Sequence, residues 1–374
     1  MDKKVKIPAA YPSITNIEIQ MANIAMKNGW GKNMNLYINN FSKKLSKYVG
    51  MKYCLPVSHC TDAIHLALLA LNIKKGDEVI VPDLTWVASV APLCYVGAKP
   101  VFVDISEKNL CINPLKIEEA ITKRTKAIIA VNLFGNIGEN LIIKKICKKH
   151  KLHFIEDAAE SLGAKKKSKK AGSFGDISVF SFNATKLIMA GQGGAFCTNN
   201  KKLFDRAKIF AHHGMVKSGK NPKYYWSKYI GHNYNWTNIQ AAIASAQLSR
   251  IDELIKYKKK IYQFYKKYFN NLKDVTITVE DKSYNQVFWI VYAKIHKPIN
   301  KTNFCNKFKK FNIDIRPMFY QLSQMPPFHS KKDIKKNEIS NLVSKQYICL
   351  PNGYDLNENK IIKIYKAFKK ILNN

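Results

Sequence analysis

A chain of 374 residues, 46% hydrophobic, carries enough apolar material for one large core and a smaller second one, which excludes a disordered or fibrous protein. The formal net charge of +36 invites a nucleic-acid reading, but only four arginines contribute and the lysines run from end to end, so no element concentrates charge for bases or phosphates. No apolar run approaches the roughly 18 residues of a membrane span, and the eight cysteines never form C-x-x-C, so the expectation is a cytoplasmic protein with neither disulfides nor metal, and with no nucleic acid or membrane insertion.

Along the chain, short apolar runs alternate with helical periods. "YCLPVS" (53–58) precedes the helical "DAIHLALLAL", and "DEVIVP" (77–82) precedes "WVASVAPLCYVG". "KPVFVDI" (99–105) precedes "NPLKIEEAIT", "TKAIIAVNLFG" (125–135) precedes "NLIIKKICKKH", and "HFIEDA" (153–158) follows. Such alternation predicts a doubly wound α/β domain with a mainly parallel sheet covered on both faces. The basic "AKKKSKK" (164–170) reads as a turn between strands. After one long helical stretch, 237–269, "VTITV" and "VFWIVYAKI" suggest strands of a smaller α+β domain. The expected division is 1–249 and 250–374. The lysine-rich end, "IIKIYKAFKKIL", has the spacing of an amphipathic surface helix.

Open α/β sheets bind ligands at the carboxyl ends of their strands. The first strand runs into "SHCTDA" (58–63), where a helix N-terminus either binds a phosphate or is merely capped by Thr61 or Asp62. Neither G-x-G-x-x-G nor a P-loop is present there, which disfavours dinucleotides and nucleoside triphosphates. "HFIEDAAES" ends in Glu156 and Asp157, with Glu160 beyond; strand alternation lets only one of the first two face the crevice, where a carboxylate suits a protonated nitrogen heterocycle. Lys186 follows the strand "ISVFSF" and precedes "GQGG"; a lysine whose stem leaves a packed strand is placed to be an amine nucleophile, and Ser181, five residues earlier, offers a hydroxyl to an anion. Phosphate nest, carboxylate and lysine, in that order, form the constellation required by pyridoxal 5′-phosphate.

The segments "GDEVIVPDLTWVAS", "GAKPVFVDI", "IEDAAESLGA", "GSFGDISVFSFNATKLIMAGQGGAF" and "GHNYNWTNIQAAIASAQLSRID" resemble the DegT-type, pyridoxal-phosphate-dependent sugar aminotransferases, especially the perosamine synthase branch. The resemblance implies a fold-type I, aspartate aminotransferase-like transferase. It implies that Lys186 attaches to the cofactor and then carries a proton, and that Asp157 pairs with the ring nitrogen. Backbone amides of Thr61 and Asp62 and the Ser181 hydroxyl would hold the phosphate, Trp86 would stack on the ring, and Glu160 would approach its phenolic oxygen. Asn233 would reach the neighbouring subunit's site, giving a homodimer with shared active sites. The implied substrates are L-glutamate and a nucleotide-linked 4-keto-6-deoxy sugar, for surface polysaccharide.

Three departures bear on these expectations. Cys60 stands where the family has glycine, which puts the nest geometry in question; Glu160 replaces a common glutamine; and Asn235 replaces an arginine, removing an anion-recognising group. The last leaves open the amination of a smaller phosphorylated carbonyl compound. A non-catalytic regulator that keeps the fold should lose the lysine or gain a DNA-binding segment, and this chain does neither.

Overall fold

The computed structural model describes residues 7–216 and 224–372. Five strands come first: β1 (Tyr53–Val57), β2 (Glu78–Pro82), β3 (Lys99–Val103), β4 (Thr125–Val131) and β5 (His153–Asp157). A small hairpin, β6 (Lys165–Lys166) and β7 (Lys169–Lys170), carries the lysine-rich turn; β8 (Ile177–Ser181) and β9 (Gly194–Thr198) follow. Apart from the hairpin these strands form one seven-stranded sheet in the order β1-β9-β8-β5-β4-β2-β3. From β8 to β3 every pairing is parallel, as the alternating pattern predicts. Only β9 runs against its neighbours β8 and β1.

Central strands buried on both faces need continuous apolar runs, and β2, β4 and β9 are buried almost from end to end. The helix Cys60–Ala70 is likewise buried nearly all round, because β8 and β9 lie on one side and the helices Ala91–Tyr95 and Lys201–Ala211 on others. Two segments expected as full helices are shorter. "WVASVAPLCYVG" gives a 3-10 turn, Val87–Ser89, and the five-residue helix Ala91–Tyr95, while "NPLKIEEAIT" gives two 3-10 turns. In the second, Pro114 and the Asn113 side chain, which accepts from the Leu115 N–H, favour tight turns over a continued helix.

The stretch 237–269 is two helices, Asn238–Ser249 and Ile251–Phe269, broken at Arg250. The guanidinium of Arg250 turns inward to the Glu18 carboxylate (2.8 Å) and the Ser13 carbonyl (2.9 Å), fixing the N-terminal helix Asn16–Asn28. Beyond the break lies a four-stranded antiparallel sheet, β10 (Val275–Ile277), β11 (Tyr292–Ile295), β12 (Arg316–Pro317) and β13 (Tyr347–Cys349), ordered β10-β11-β13-β12. Its core is separate from that of the large sheet and includes Ile7, which bridges to Ile313. The strand expected over "VFWIVYAKI" begins only at Tyr292. The preceding "VFWI" is irregular, with Phe288 at φ 45°; it sends Val287 and Trp289 into the large sheet's core and Phe288 into the second. The C-terminal helix Glu358–Leu372 packs Ile361, Ile364, Phe368 and Ile371 on this second core, leaving its lysines outward.

Candidate active site

A cavity of about 850 Å³ opens at the carboxyl ends of β5 and β8, between the large sheet and β12. That volume lies in the upper part of the range for small-molecule clefts. Adjacent residues on β5 face opposite ways. Glu156 points beneath the sheet, where Asn132 (2.8 Å) and the backbone N–H groups of Gly172 (2.7 Å) and Phe174 (2.8 Å) donate to its carboxylate. Asp157 lines the cavity. Its Oδ2 accepts from the Ser89 hydroxyl at 2.8 Å and its Oδ1 from the Ala159 N–H at 3.0 Å. Burial pushes the Asp157 carboxyl above its usual range, against those two donors and the Lys186 charge.

Lys186 enters the same cavity from the loop after β8, which the Trp289 indole N–H holds by donating to the Thr185 carbonyl at 2.7 Å. The Lys186 Nζ lies 3.4 Å from the Glu160 carboxylate and 3.8 Å from the centre of the Trp289 ring. Glu160 also accepts from the Phe134 N–H at 2.9 Å. Burial raises the Glu160 carboxyl; Lys186 and the Phe134 N–H oppose that rise, and the Asp157 charge adds to it. Gly135 makes the arrangement possible: its φ is +93°, and a Cβ there would stand 2.9 Å from the Trp289 backbone nitrogen.

The other expected residues are distributed unevenly. Thr61, Trp86 and Ser181 line the cavity, Trp86 with 56% of its surface exposed. The Asp62 carboxylate turns away to accept from the Ser58 hydroxyl (2.6 Å) and to meet the His59 ring (3.1 Å). Only its backbone belongs to the first helical turn, whose amides have no carbonyl four residues back. Cys60 needs no glycine-like conformation, for it begins the helix after an extended His59. The freedom sits instead in Gly194, where a Cβ would come within 2.4 Å of the Cys60 nitrogen. Burial drives the Cys60 thiol well above the ordinary thiol range. Asn233 is exposed and outside this chain's cavity; the Asn235 amide donates to its side-chain oxygen at 2.8 Å. Among the described residues no group of three or more His, Cys, Asp or Glu is placed to hold a metal.

The residues fit a phosphorylated nitrogen heterocycle. Asp157 is a buried carboxyl with two donors and open cavity beside it, where a protonated ring nitrogen would hold it ionised, and the helix N-terminus suits a phosphate. Sequence reasoning missed Ser89 and Trp289. Ser89 lies in the quoted "LTWVAS", three residues after Trp86, but nothing local marks it as a partner of Asp157. Trp289 was hidden in a segment that reads as a strand.

Fold and site together define a pyridoxal-phosphate-dependent aminotransferase. The chain belongs to the DegT/DnrJ/EryC1/StrS aminotransferase family, whose model matches residues 12–369. It is 37% identical to the GDP-perosamine synthase of Escherichia coli O157:H7, over 97% of this chain and 98% of that protein. It is 32% identical to the GDP-perosamine synthase of Vibrio cholerae, over 98% and 99%. Among solved structures it superposes on Helicobacter pylori PseC, an aminotransferase involved in the biosynthesis of pseudoaminic acid, with a TM-score of 0.88, 25% identity and coverage of 98% and 99%. Among the described residues no helix is long and apolar enough to cross a membrane.

Proposed function

We propose that this aminotransferase takes the amino group of L-glutamate and passes it to the keto carbon of a nucleotide-linked 4-keto-6-deoxy sugar, in the cytoplasm, for surface polysaccharide. The observation that carries the chemistry is the Lys186 amine, set in the cavity beside Glu160, with Asp157 buried in the same wall. The choice of acceptor rests on the similarity to two GDP-perosamine synthases over nearly the whole chain.

When bound, pyridoxal phosphate supplies a carbonyl carbon that takes up an amino group and a ring that accepts the electron pair of a broken C–H bond. The chain's own residues do the rest. Asp157 keeps a proton on the ring nitrogen, held in place by Ser89 and Ala159. Lys186 moves a proton through its Nζ, and Glu160 orients that amine. The amides of Thr61 and Asp62 and the Ser181 hydroxyl would hold the phosphate, and Trp86 would stack on the ring and shield it from water. Asn233 serves the neighbouring subunit's site, so the active unit is a homodimer.

Absorbance spectroscopy of the holoenzyme tests this reading. Glutamate should abolish the visible band, a nucleotide-linked 4-keto-6-deoxy sugar should restore it, and the Lys186→Ala protein should do neither. A band indifferent to glutamate would refute the donor. Bleaching that no such sugar reverses would refute the acceptor.

A further inference from the structure

One wall of the cavity comes from the second domain. Met318, Phe319 and Tyr320, just after β12, all line it. Phe319 bridges the site: its ring centre lies 5.7 Å from that of Trp86 and 5.4 Å from that of Phe134, whose N–H donates to Glu160. Aromatic contacts alone would let this short segment slide, since each is worth only about 1 kcal/mol. Two buried charged groups instead fasten it from opposite sides.

The first is Asp83, fully buried directly after β2. Its carboxylate accepts from the Gln321 amide (2.9 Å), the Ser323 N–H (2.8 Å), the Ser323 hydroxyl (2.7 Å) and the Asn337 amide (2.8 Å), and its carbonyl accepts from the Leu322 N–H at 2.7 Å. The second is Lys301. Its Nζ donates to the carbonyls of Met318 (3.0 Å) and Ser344 (2.7 Å) and sits 3.6 Å from the centre of the Tyr320 ring. Neither touches Lys186, Asp157 or Glu160 in any hydrogen bond or ion pair of the described residues.

We propose that Asp83 and Lys301 are positioning residues that hold the segment 318–323 as the wall against which the amino acceptor lies. The wall matters unequally to the two substrates. A five-carbon amino acid has little to extend beyond Lys186, whereas a nucleotide-linked sugar must lie along the outer cavity. This part rests on the function proposed above.

Asp104 supplies an internal control. It is also buried, follows the neighbouring strand β3, and also ties the two domains together by accepting from the Ile339 N–H (3.0 Å), the Ser340 N–H (2.8 Å) and the Ser340 hydroxyl (2.7 Å). Its partners lie outside the wall. Asp83 and Asp104 are therefore comparable as interdomain ties: both reach the start of the helix Glu338–Gln346, Asp83 through Asn337 and Asp104 through Ile339 and Ser340, and only Asp83 also fastens 321–323.

The test compares holoenzyme carrying Asp83→Asn, Asp104→Asn or Lys301→Met by amide hydrogen exchange and by steady-state kinetics. An asparagine at 83 would aim an NH2 at converging donors, so exchange over 318–325 should rise about tenfold, with KM for the keto sugar up about tenfold. The rate of bleaching by glutamate should stay within about threefold of wild type. Asp104→Asn should loosen 339–343 instead and leave KM for the acceptor within about threefold, even where its melting temperature falls as far. Lys301→Met should reproduce the Asp83→Asn pattern, and it decides the matter if Asp83→Asn does not fold. Equal exchange over 318–325 in the Asp83 and Asp104 variants would overturn the proposal. So would a loosened wall with unchanged acceptor KM. If the wild-type protein uses no nucleotide-linked keto sugar, the function reading fails by itself, and the exchange pattern still decides whether these residues hold the wall.

Discussion

Glu156 and Asp157 are chemically similar neighbours with different tasks, and the pleat of β5 separates them. Glu156 is saturated by donors beneath the sheet, whereas Asp157 keeps only two donors and faces the cavity. A carboxylate so placed should be needed for its charge. Asp157→Asn is expected to lower kcat by about three orders of magnitude while the melting temperature stays nearly unchanged, because the side-chain oxygen can still accept from Ala159. Steady-state rates beside a thermal melt check this; a loss under about tenfold would remove Asp157 from the ring-nitrogen role. Lys186, Asp157, Thr61 and Ser181 were legible because each lies at or just beyond the carboxyl end of a strand, and Trp86 through the resemblance alone. Ser89 and Trp289 were not, since their closeness to Asp157 and to the Thr185–Lys186 loop depends on segments 68 and 104 residues from Asp157 and Thr185 meeting in space.

At the scale of elements, the nest depends on β9 as much as on the helix it belongs to. Gly194 pairs with Val57 on one side and Ser181 on the other, while the His59–Cys60 backbone presses on it. Gly194→Ala should therefore force the first turn of the helix Cys60–Ala70 aside. The expected cost is about 1–3 kcal/mol of stability, together with a loss of cofactor affinity. A denaturant melt and a cofactor titration of the apoprotein measure the two, and unchanged affinity would place the phosphate elsewhere. The helix Ile251–Phe269 shows a different compromise. Lys258 occupies its apolar stripe among Leu254, Ile261, Tyr262 and Tyr265, donating to the Asn352 carbonyl. Burial lowers its amine from 10.5 to about 7, with Asp355 opposing. The unfolded chain thus binds one more proton than the folded chain between about pH 7 and pH 10.5, so this group's contribution to stability rises with pH across that window. The full cost of burying the charge is present below it. Lys258→Met should accordingly be stabilising at pH 6 to 7, with the gain shrinking toward pH 10; denaturant melts along a pH series check the slope, and a pH-independent difference would contradict it.

For the whole molecule, the exposed Asn233 acquires a role only if a second copy supplies the site it serves. A Lys186→Ala subunit keeps a sound Asn233, and an inactive Asn233 variant keeps a sound Lys186. Co-expressed, the two should yield mixed dimers with one intact site each, about half of the wild-type activity per dimer, by two-fold symmetry. Mixed dimers no more active than their parents would confine Asn233 to a structural turn.

The sequence by itself pointed to the cofactor and the class: strand–helix alternation, a lysine after a buried strand and a carboxylate 29 residues earlier form an ordered set that suits pyridoxal phosphate, and the resemblance of the quoted segments to the DegT-type aminotransferases implied the activity. It also determined that the terminal lysine-rich helix packs on a core, through its apolar spacing alone. Strand alternation left Glu156 and Asp157 open and the resemblance favoured Asp157, which the tertiary structure places in the cavity; only the tertiary structure decided that Gly194 rather than residue 60 gives the nest its room, and that Arg250 breaks a helix to reach Glu18. It alone brought Asp83 and Lys301 to the two sides of one wall. Periodicity is written into neighbours along the chain, whereas most of these contacts join residues more than a hundred apart, those of Lys301 span 17 and 43, and the rest turn on which face of a strand is buried; no local pattern encodes any of them.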